Sequence, residues 1–174
     1  KICSNINIKG YIVKANNGKT IGVCSDKNKI YAKQLNKEIP EIFIKLLLSI
    51  EDKRFYNHVG IDLIGIIRAF YKNIQAGKIV EGGSTITEQL SKNMYFTQEK
   101  DLKRKVAEVF VTLDLEKNYT KNEILELYLN TSYFGNGYYT VSEASKGYFN
   151  KDAKDMSDSE ATLLAGIPNA PSVY

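Results

Sequence analysis

The chain has 174 residues, 43% of them hydrophobic, and carries 24 basic against 20 acidic side chains for a formal net charge of +4. That length and apolar content suffice for one sizeable core and give no reason to expect a second large domain, while 12 glycines and 3 prolines are too few for a disordered or fibrous chain. The basic residues are dispersed without a block or stripe, which argues against nucleic acid as a partner and makes a small anionic site the better match to the surplus charge.

Two alternating, β-branched runs flank Asn17-Gly18 in YIVKANNGKTIGV, the strongest short signal for a hairpin, so residues 1–35 are expected to form a small N-terminal β segment. Cys3 and Cys24, the only thiols, fall in this segment. They are too sparse for a disulfide scaffold or for a zinc site, which needs about four clustered ligands, and whether they pair stays open. Residues 36–174 read as helical. Pro40 suits the first turn of a helix running through Ile50. Its apolar run, IFIKLLLSI, is broken by Lys45 and falls well short of the ~20 residues that span a bilayer. Leu63, Ile66, Ile67, Phe70 and Ile74 then recur at helical spacing behind Asp62 as cap.

Further along, RKVAEVFVTLDLEKNY with Leu102 just ahead of it places Leu102, Val106, Val109, Phe110 and Leu113 on one stripe and Val111 and Leu115 on the other side, a pattern that predicts a helix buried all round. Thr120 with Glu123, and Ser157 with Glu160, are capping boxes ahead of ILELYLN and ATLLAGI. Between them TSYFGNGYYT reads as a loop leading to a short helix near Ser142 to Tyr148. The chain starts at a lysine, lacks a signal-peptide pattern and stops at PSVY, and so reads as a piece of a longer protein with any membrane anchor outside it.

Three stretches carry candidate chemistry. In SIEDKRFYNHVGID, Glu51 follows a greasy helix end, where desolvation raises a carboxyl pKa toward the range of a general base; the alternative is a solvated helix-end acid. Asp52 and Phe55 stand beside it with His58, which taken alone is a structural histidine as readily as a catalyst. In EGGSTITEQLSKN, Gly82 and Gly83 free the backbone, Ser84 and Thr85 add hydroxyls at a helix start that attracts phosphate, and Lys92 adds a cation; an ordinary Ser cap after a glycine turn explains the same residues. The Walker spacing is missing. In RKVAE, Glu108 with Arg104 and Lys105 is either an anion site with a perturbed carboxyl or a structural ion pair.

EDKRFYNHVG, GGSTIT running into QLSKN, RKVAE and ILELYLN, in this order, resemble the peptidoglycan glycosyltransferase (transglycosylase) domain, glycosyltransferase family 51, of bifunctional class A penicillin-binding proteins and monofunctional transglycosylases. YFGNGYYTVSEASKGYF and LLAGIPNAPSVY also look like that family's later segments, so the resemblance runs from about Tyr31 to the last residue. It implies a mainly α, lysozyme-like fold with a smaller membrane-facing lobe near Tyr71 to Phe96, in a domain over 36–174 that is C-terminally truncated, short of a basic final motif.

The implied reaction polymerises lipid II into β-1,4-linked glycan, with inversion and release of undecaprenyl pyrophosphate. Glu51 would take the proton from the acceptor 4-hydroxyl with Asp52 beside it, and Glu108 would be the second acid, as participant or as organiser of Lys105. Ser84, Thr85, Gln89, Lys92, Asn93, Arg104 and Lys105 would line the donor pyrophosphate, and Phe55 and His58 would shape the first motif. Glu126, Tyr128 and Asn130 look like scaffold behind it. Where the family carries two glutamines after STIT this chain has Glu88 and Gln89, an added negative charge beside the anion site. No cofactor is implied as required, and a divalent cation would ride on the substrate pyrophosphate. The implied partners are lipid II, the growing glycan chain, a membrane surface and a fused transpeptidase domain, at the extracytoplasmic face of a bacterial cell membrane. The rivals are a lysozyme-like glycan-cleaving enzyme, against which the GGSTIT segment and the lysines argue, and a non-catalytic lipid II or membrane-binding module.

Overall fold

A computed structural model of the chain describes residues 11–14, 20–24, 35–95 and 102–168, with side chains described over 37–94 and 104–168. Tyr11–Lys14 (β1) and Thr20–Cys24 (β2) pair antiparallel, Tyr11 opposite Cys24 and Lys14 opposite Thr20, with an irregular register between Val13 and Lys14. The Asn17-Gly18 turn expected between them, Cys3 and the Cys24 side chain lie outside the described residues. Everything else with regular structure among the described residues is helical: α1 (Leu35–Glu38), α2 (Glu41–Glu51), α3 (Leu63–Ala76), α4 (Ile86–Tyr95), α5 (Leu102–Asn118), α6 (Lys121–Leu129), α7 (Val141–Phe149) and α8 (Asp158–Gly166). The fold is mainly α. No helix among the described residues is long and apolar enough to cross a membrane.

Helix starts follow local chemistry. Thr120 and Ser157 each form a full capping box, with Glu123 and Glu160, and Thr140 accepts from the Glu143 N–H at the head of α7. Such caps contribute about 1 kcal/mol each by satisfying amides that the helix leaves open. Pro40 stands just before α2, its carbonyl accepting from the N–H groups of Phe43 and Ile44. Asp62 holds the cap position of α3, but its side chain makes no capping bond and instead faces Arg54 at 3.4 Å.

The core lies where α2 packs on α8 and where α4 packs on α5 and α6. Phe43 and Leu47 of α2, Ile86 and Leu90 of α4, Ile124 and Leu125 of α6 and Leu164 of α8 are essentially solvent-free. Each such side chain contributes roughly 1.5–3 kcal/mol by leaving water. This places the C-terminal end of α2 against the N-terminal end of α4.

Two apolar stripes do not join that core. The prediction that α5 is buried all round fails, because Val106, Phe110 and Leu113 are 58%, 69% and 43% exposed while Glu108, Thr112 and Leu115 face inward. The helix turns its polar-containing side to α4, where Lys105 meets Glu88, Glu116 accepts from Thr87 and the Glu108 carbonyl accepts from Ser91. On α3 the inward residues are the small Gly65 and Ala69, and Leu63, Ile67, Phe70 and Ile74 point outward. Residues 80 and 81 are tied back along α3: Asn73 Oδ1 accepts from the N–H groups of Val80 and Glu81, and Arg68 and Lys72 pair with the Glu81 carboxylate.

Gly60 lies where the chain crosses α5. Its φ is +93°, and an added Cβ would stand 2.7 Å from Thr112 Cγ2 and 3.0 Å from Glu116 Cγ. Gly60→Ala combines overpacking with a left-handed backbone, and should cost about 2–4 kcal/mol in urea unfolding. A near-neutral result would show that this crossing is not closely packed.

Candidate active site

The first motif is built around a buried carboxylate. Asp52 is the C-cap just past α2, and the chain then folds at once into a 3-10 turn over Phe55–Asn57, Phe55 N–H donating to the Asp52 carbonyl. The turn returns His58 to Asp52, with His58 Nε2 3.0 Å from both carboxylate oxygens. Gly60 N–H donates to His58 Nδ1 at 3.1 Å, so a neutral ring carries its proton on Nε2 and gives it to Asp52. Asp52 Oδ2 also accepts the Ile86 N–H at 3.0 Å, placing a negative charge at the positive end of α4. Thr85 Oγ1 donates to the Gly60 carbonyl at 2.5 Å, which closes a ring of bonds from α2 through the turn to α4.

The glycine-serine-threonine stretch starts α4 by a device other than a Ser cap. Thr85 Oγ1 accepts from Glu88 N–H at 3.1 Å and Glu88 Oε2 accepts from Thr85 N–H at 3.0 Å, a reciprocal capping box. Glu88 is buried, and its other oxygen lies 3.2 Å from Lys105 Nζ. Its charge is therefore taken up by a helix start and a lysine. The next residue, Gln89, reaches the opposite way: Nε2 donates to Glu51 Oε2 at 2.9 Å, and Oε1 accepts from the Tyr128 hydroxyl at 3.2 Å.

Glu51 is the last residue of α2, half-buried, with Oε1 buried and accepting no hydrogen bond. Burial pushes its pKa up, the Gln89 bond opposes this, and the Asp52 charge adds to it. The negative end of α2 acts in the same direction. A carboxylate with one oxygen held, the other buried without a donor, and a raised proton affinity has the properties of a general base.

Across α4 stands the charge cluster of α5. Glu108, 2% exposed, lies 3.2 Å from Arg104 Nε and 3.3 Å from Lys105 Nζ, and its carbonyl accepts from Ser91 Oγ. Lys105 is held between Glu88 and Glu108 with 48% of its side chain exposed, so a cation is presented at the surface on two buried carboxylates. A second cluster ties the helices together, Thr87 Oγ1 and Lys121 Nζ both donating to Glu116 Oε1 at 2.6 and 2.7 Å, with Lys121 4.6 Å from the centre of the Phe55 ring. Among the described residues no group of three or more His, Cys, Asp or Glu could hold a metal ion.

Of the residues singled out in the sequence, Glu51, Asp52, His58, Thr85 and Gln89 form one hydrogen-bonded network, and Arg104, Lys105 and Glu108 form the second group. Phe55 is 1% exposed and Thr85 2%, so both act by packing and bonding from beneath the surface. Ser84, Lys92 and Asn93 are exposed, the last two three and four residues past Gln89 and hence on its side of α4. Tyr128 lies closer to the chemistry than its assignment to the scaffold implied. The signal was available: a tyrosine four residues past Ile124 on a buried helix face must find a partner for its hydroxyl.

The family profile described as Transglycosylase matches residues 17–174. The chain belongs to the transglycosylase family. It is 50% identical over 137 residues to penicillin-binding protein 1F of Bacillus subtilis (strain 168), covering 79% of this chain and 19% of that protein. Similarity extends to penicillin-binding protein 4 of the same organism, 44% identical over 87% of this chain and 24% of that protein. Penicillin-binding protein 1A of Aquifex aeolicus (strain VF5) is 42% identical over 90% of this chain and 21% of its own length. The transglycosylase chain thus spans about a fifth of the length of these curated relatives.

The raised pKa of Glu51 has a consequence for stability. The native state holds this proton more tightly than the unfolded chain, so stability falls as pH rises from the ordinary value of 4.5 through the folded-state value. Glu51→Gln removes that penalty: its Tm should exceed the wild type's at neutral pH, and the gain should shrink as the pH approaches 4.5. A Tm gain independent of pH would contradict the assignment.

Proposed function

We propose that this transglycosylase domain is a peptidoglycan glycosyltransferase that polymerises lipid II into β-1,4-linked glycan. The reading rests on one observation above all: adjacent residues of α4, Gln89 and Glu88, hold on one side a carboxylate of raised proton affinity and on the other a basic group built on Glu108. A sugar hydroxyl needs a base to become a nucleophile, whereas a pyrophosphate leaves readily once cations balance its growing charge. Glu51 takes the proton from the acceptor 4-hydroxyl as its oxygen bonds to the anomeric carbon of the donor. The bond from that carbon to the pyrophosphate breaks on the opposite face, which inverts the α-linked donor to a β product. Arg104, Lys105 and Lys92 receive the charge of the departing undecaprenyl pyrophosphate, with Ser84 and Asn93 as polar neighbours. Asp52 and His58 hold Glu51 and α4 in register, and Glu108 organises the cations.

The reaction requires no cofactor of its own in this reading, and a divalent cation would accompany the pyrophosphate. In this reading the exposed apolar side of α3, with Ile79 and Val80, is the membrane-facing lobe, a role that its unpartnered apolar area suits, and the domain works at the extracytoplasmic face of a bacterial membrane, where the lipid tail stays in the bilayer. Mainly helical architecture supports a lysozyme-like fold, and the similarity to penicillin-binding proteins supports a transpeptidase domain in the same protein. The growing glycan chain is then both donor and product.

Labelled lipid II in liposomes tests this with the full, membrane-anchored protein. Wild type should yield polymer, Glu51→Gln should lower kcat by about 10²–10⁴-fold, and the acid limb of the wild-type profile should lie above the ordinary carboxylate range. Binding of lipid II without polymer would overturn the enzyme reading in favour of a binding module.

A further inference from the structure

Resting on the glycosyltransferase reading, we propose that Tyr128 is a positioning residue for the reaction: its hydroxyl donates to the Gln89 amide and so supports the bond which that amide gives to Glu51. Three atoms carry the argument. Tyr128 Oη lies 3.2 Å from Gln89 Oε1, and Gln89 Nε2 lies 2.9 Å from Glu51 Oε2. A primary amide has an accepting end and a donating end of nearly the same shape, and nothing steric distinguishes them. When Glu51 is ionised, the turned amide would set Gln89 Oε1 against a carboxylate oxygen, two acceptors at hydrogen-bond distance. An ionised Glu51, which only accepts, disfavours that alternative, and Tyr128 reinforces the choice by donating to the oxygen.

The phenol is suited to this. It is 1% exposed on a face of α6 shared with Ile124 and Leu125, so the ring does not swing away. Burial first, and the Glu51 charge second, push its pKa far upward, so it remains a donor at every pH at which the enzyme works. A bond donated to an amide oxygen also polarises the amide, making its N–H a stronger donor to the carboxylate beyond. Tyr128 therefore favours the ionised form of Glu51 without touching it, and moderates the rise in proton affinity that burial imposes. Such a relay sets how much of the base is ready at a given pH.

Tyr128→Phe tests the relay in the full protein, because it keeps the ring in the core and deletes only the hydroxyl. In lipid II polymerisation kcat should fall about fivefold, the factor set by the net worth of one hydrogen bond, with KM little changed. The acid limb of kcat should move to higher pH. The infrared carboxyl titration of Glu51, assigned by its loss in Glu51→Gln, should move with it. A merely structural loss lowers the active fraction and leaves both unmoved. In a Gln89→Met background the Tyr128→Phe change should add nothing further, since its effect passes through the amide. An unmoved titration, or an equal fall in the Gln89→Met background, overturns the proposal. Absence of polymer from wild type overturns the glycosyltransferase reading instead, while the carboxyl titration still decides whether the relay exists.

Discussion

The site depends on the Asp52 carboxylate. It accepts from the imidazole of His58 and from the first amide of α4, and it does so at 6% exposure, where an unpaired charge would be prohibitive. Because Asp52 follows Glu51 directly, the bond that fixes the head of α4 also fixes the residue that Gln89 must reach. Because the Thr85–Glu88 capping box sits at the same helix end, it sets where Glu88 meets Lys105. One anchoring carboxylate thus sets the spacing between the Glu51 carboxylate and the Lys105 side chain on opposite sides of α4.

This arrangement separates roles that a list of acidic residues would merge. Asp52 is saturated with donors, whereas Glu51 keeps one oxygen unbonded and an elevated proton affinity. Glu108 is buried under two basic side chains and acts as a counter-charge that holds them at the surface. Such buried ion pairs contribute little net stability, since desolvation offsets much of the attraction, so placement of the cations is the better account of them. Glu88 belongs with Glu108 in this respect. Its charge, conspicuous in the sequence beside an expected anion site, is balanced by the α4 start and by Lys105.

Much of this was legible in the residues. Capping boxes at Thr120 and Ser157 stand where the spacing puts them, because such boxes are closed by local atoms alone. Family resemblance placed Glu51, Gln89, Arg104, Lys105 and Glu108 in a common site, and the helices bring them together in two groups joined through α4. Thr85-x-x-Glu88 is the same box pattern in plain sight, masked by a reading that weighed only an anion site and a cap at Ser84. The burial of α5 was misjudged because periodicity counts apolar residues without knowing which side a neighbour occupies; Gly65 and Ala69 on α3 show the same limit, the smallest residues forming the inward face. Tyr128 was assigned to the scaffold because its partner is 39 residues distant: the local pattern says that a buried hydroxyl needs a partner, and not which one.

Hydrogen exchange at the head of α4, measured residue by residue in wild type and Asp52→Asn, tests the dependence on this carboxylate most directly. The account predicts that the amides of Ile86 and its first-turn neighbours exchange much faster in the variant, while Leu125 and Leu129 of α6 stay protected. Unchanged protection at Ile86 would contradict it, because the α4 start would then hold without Asp52.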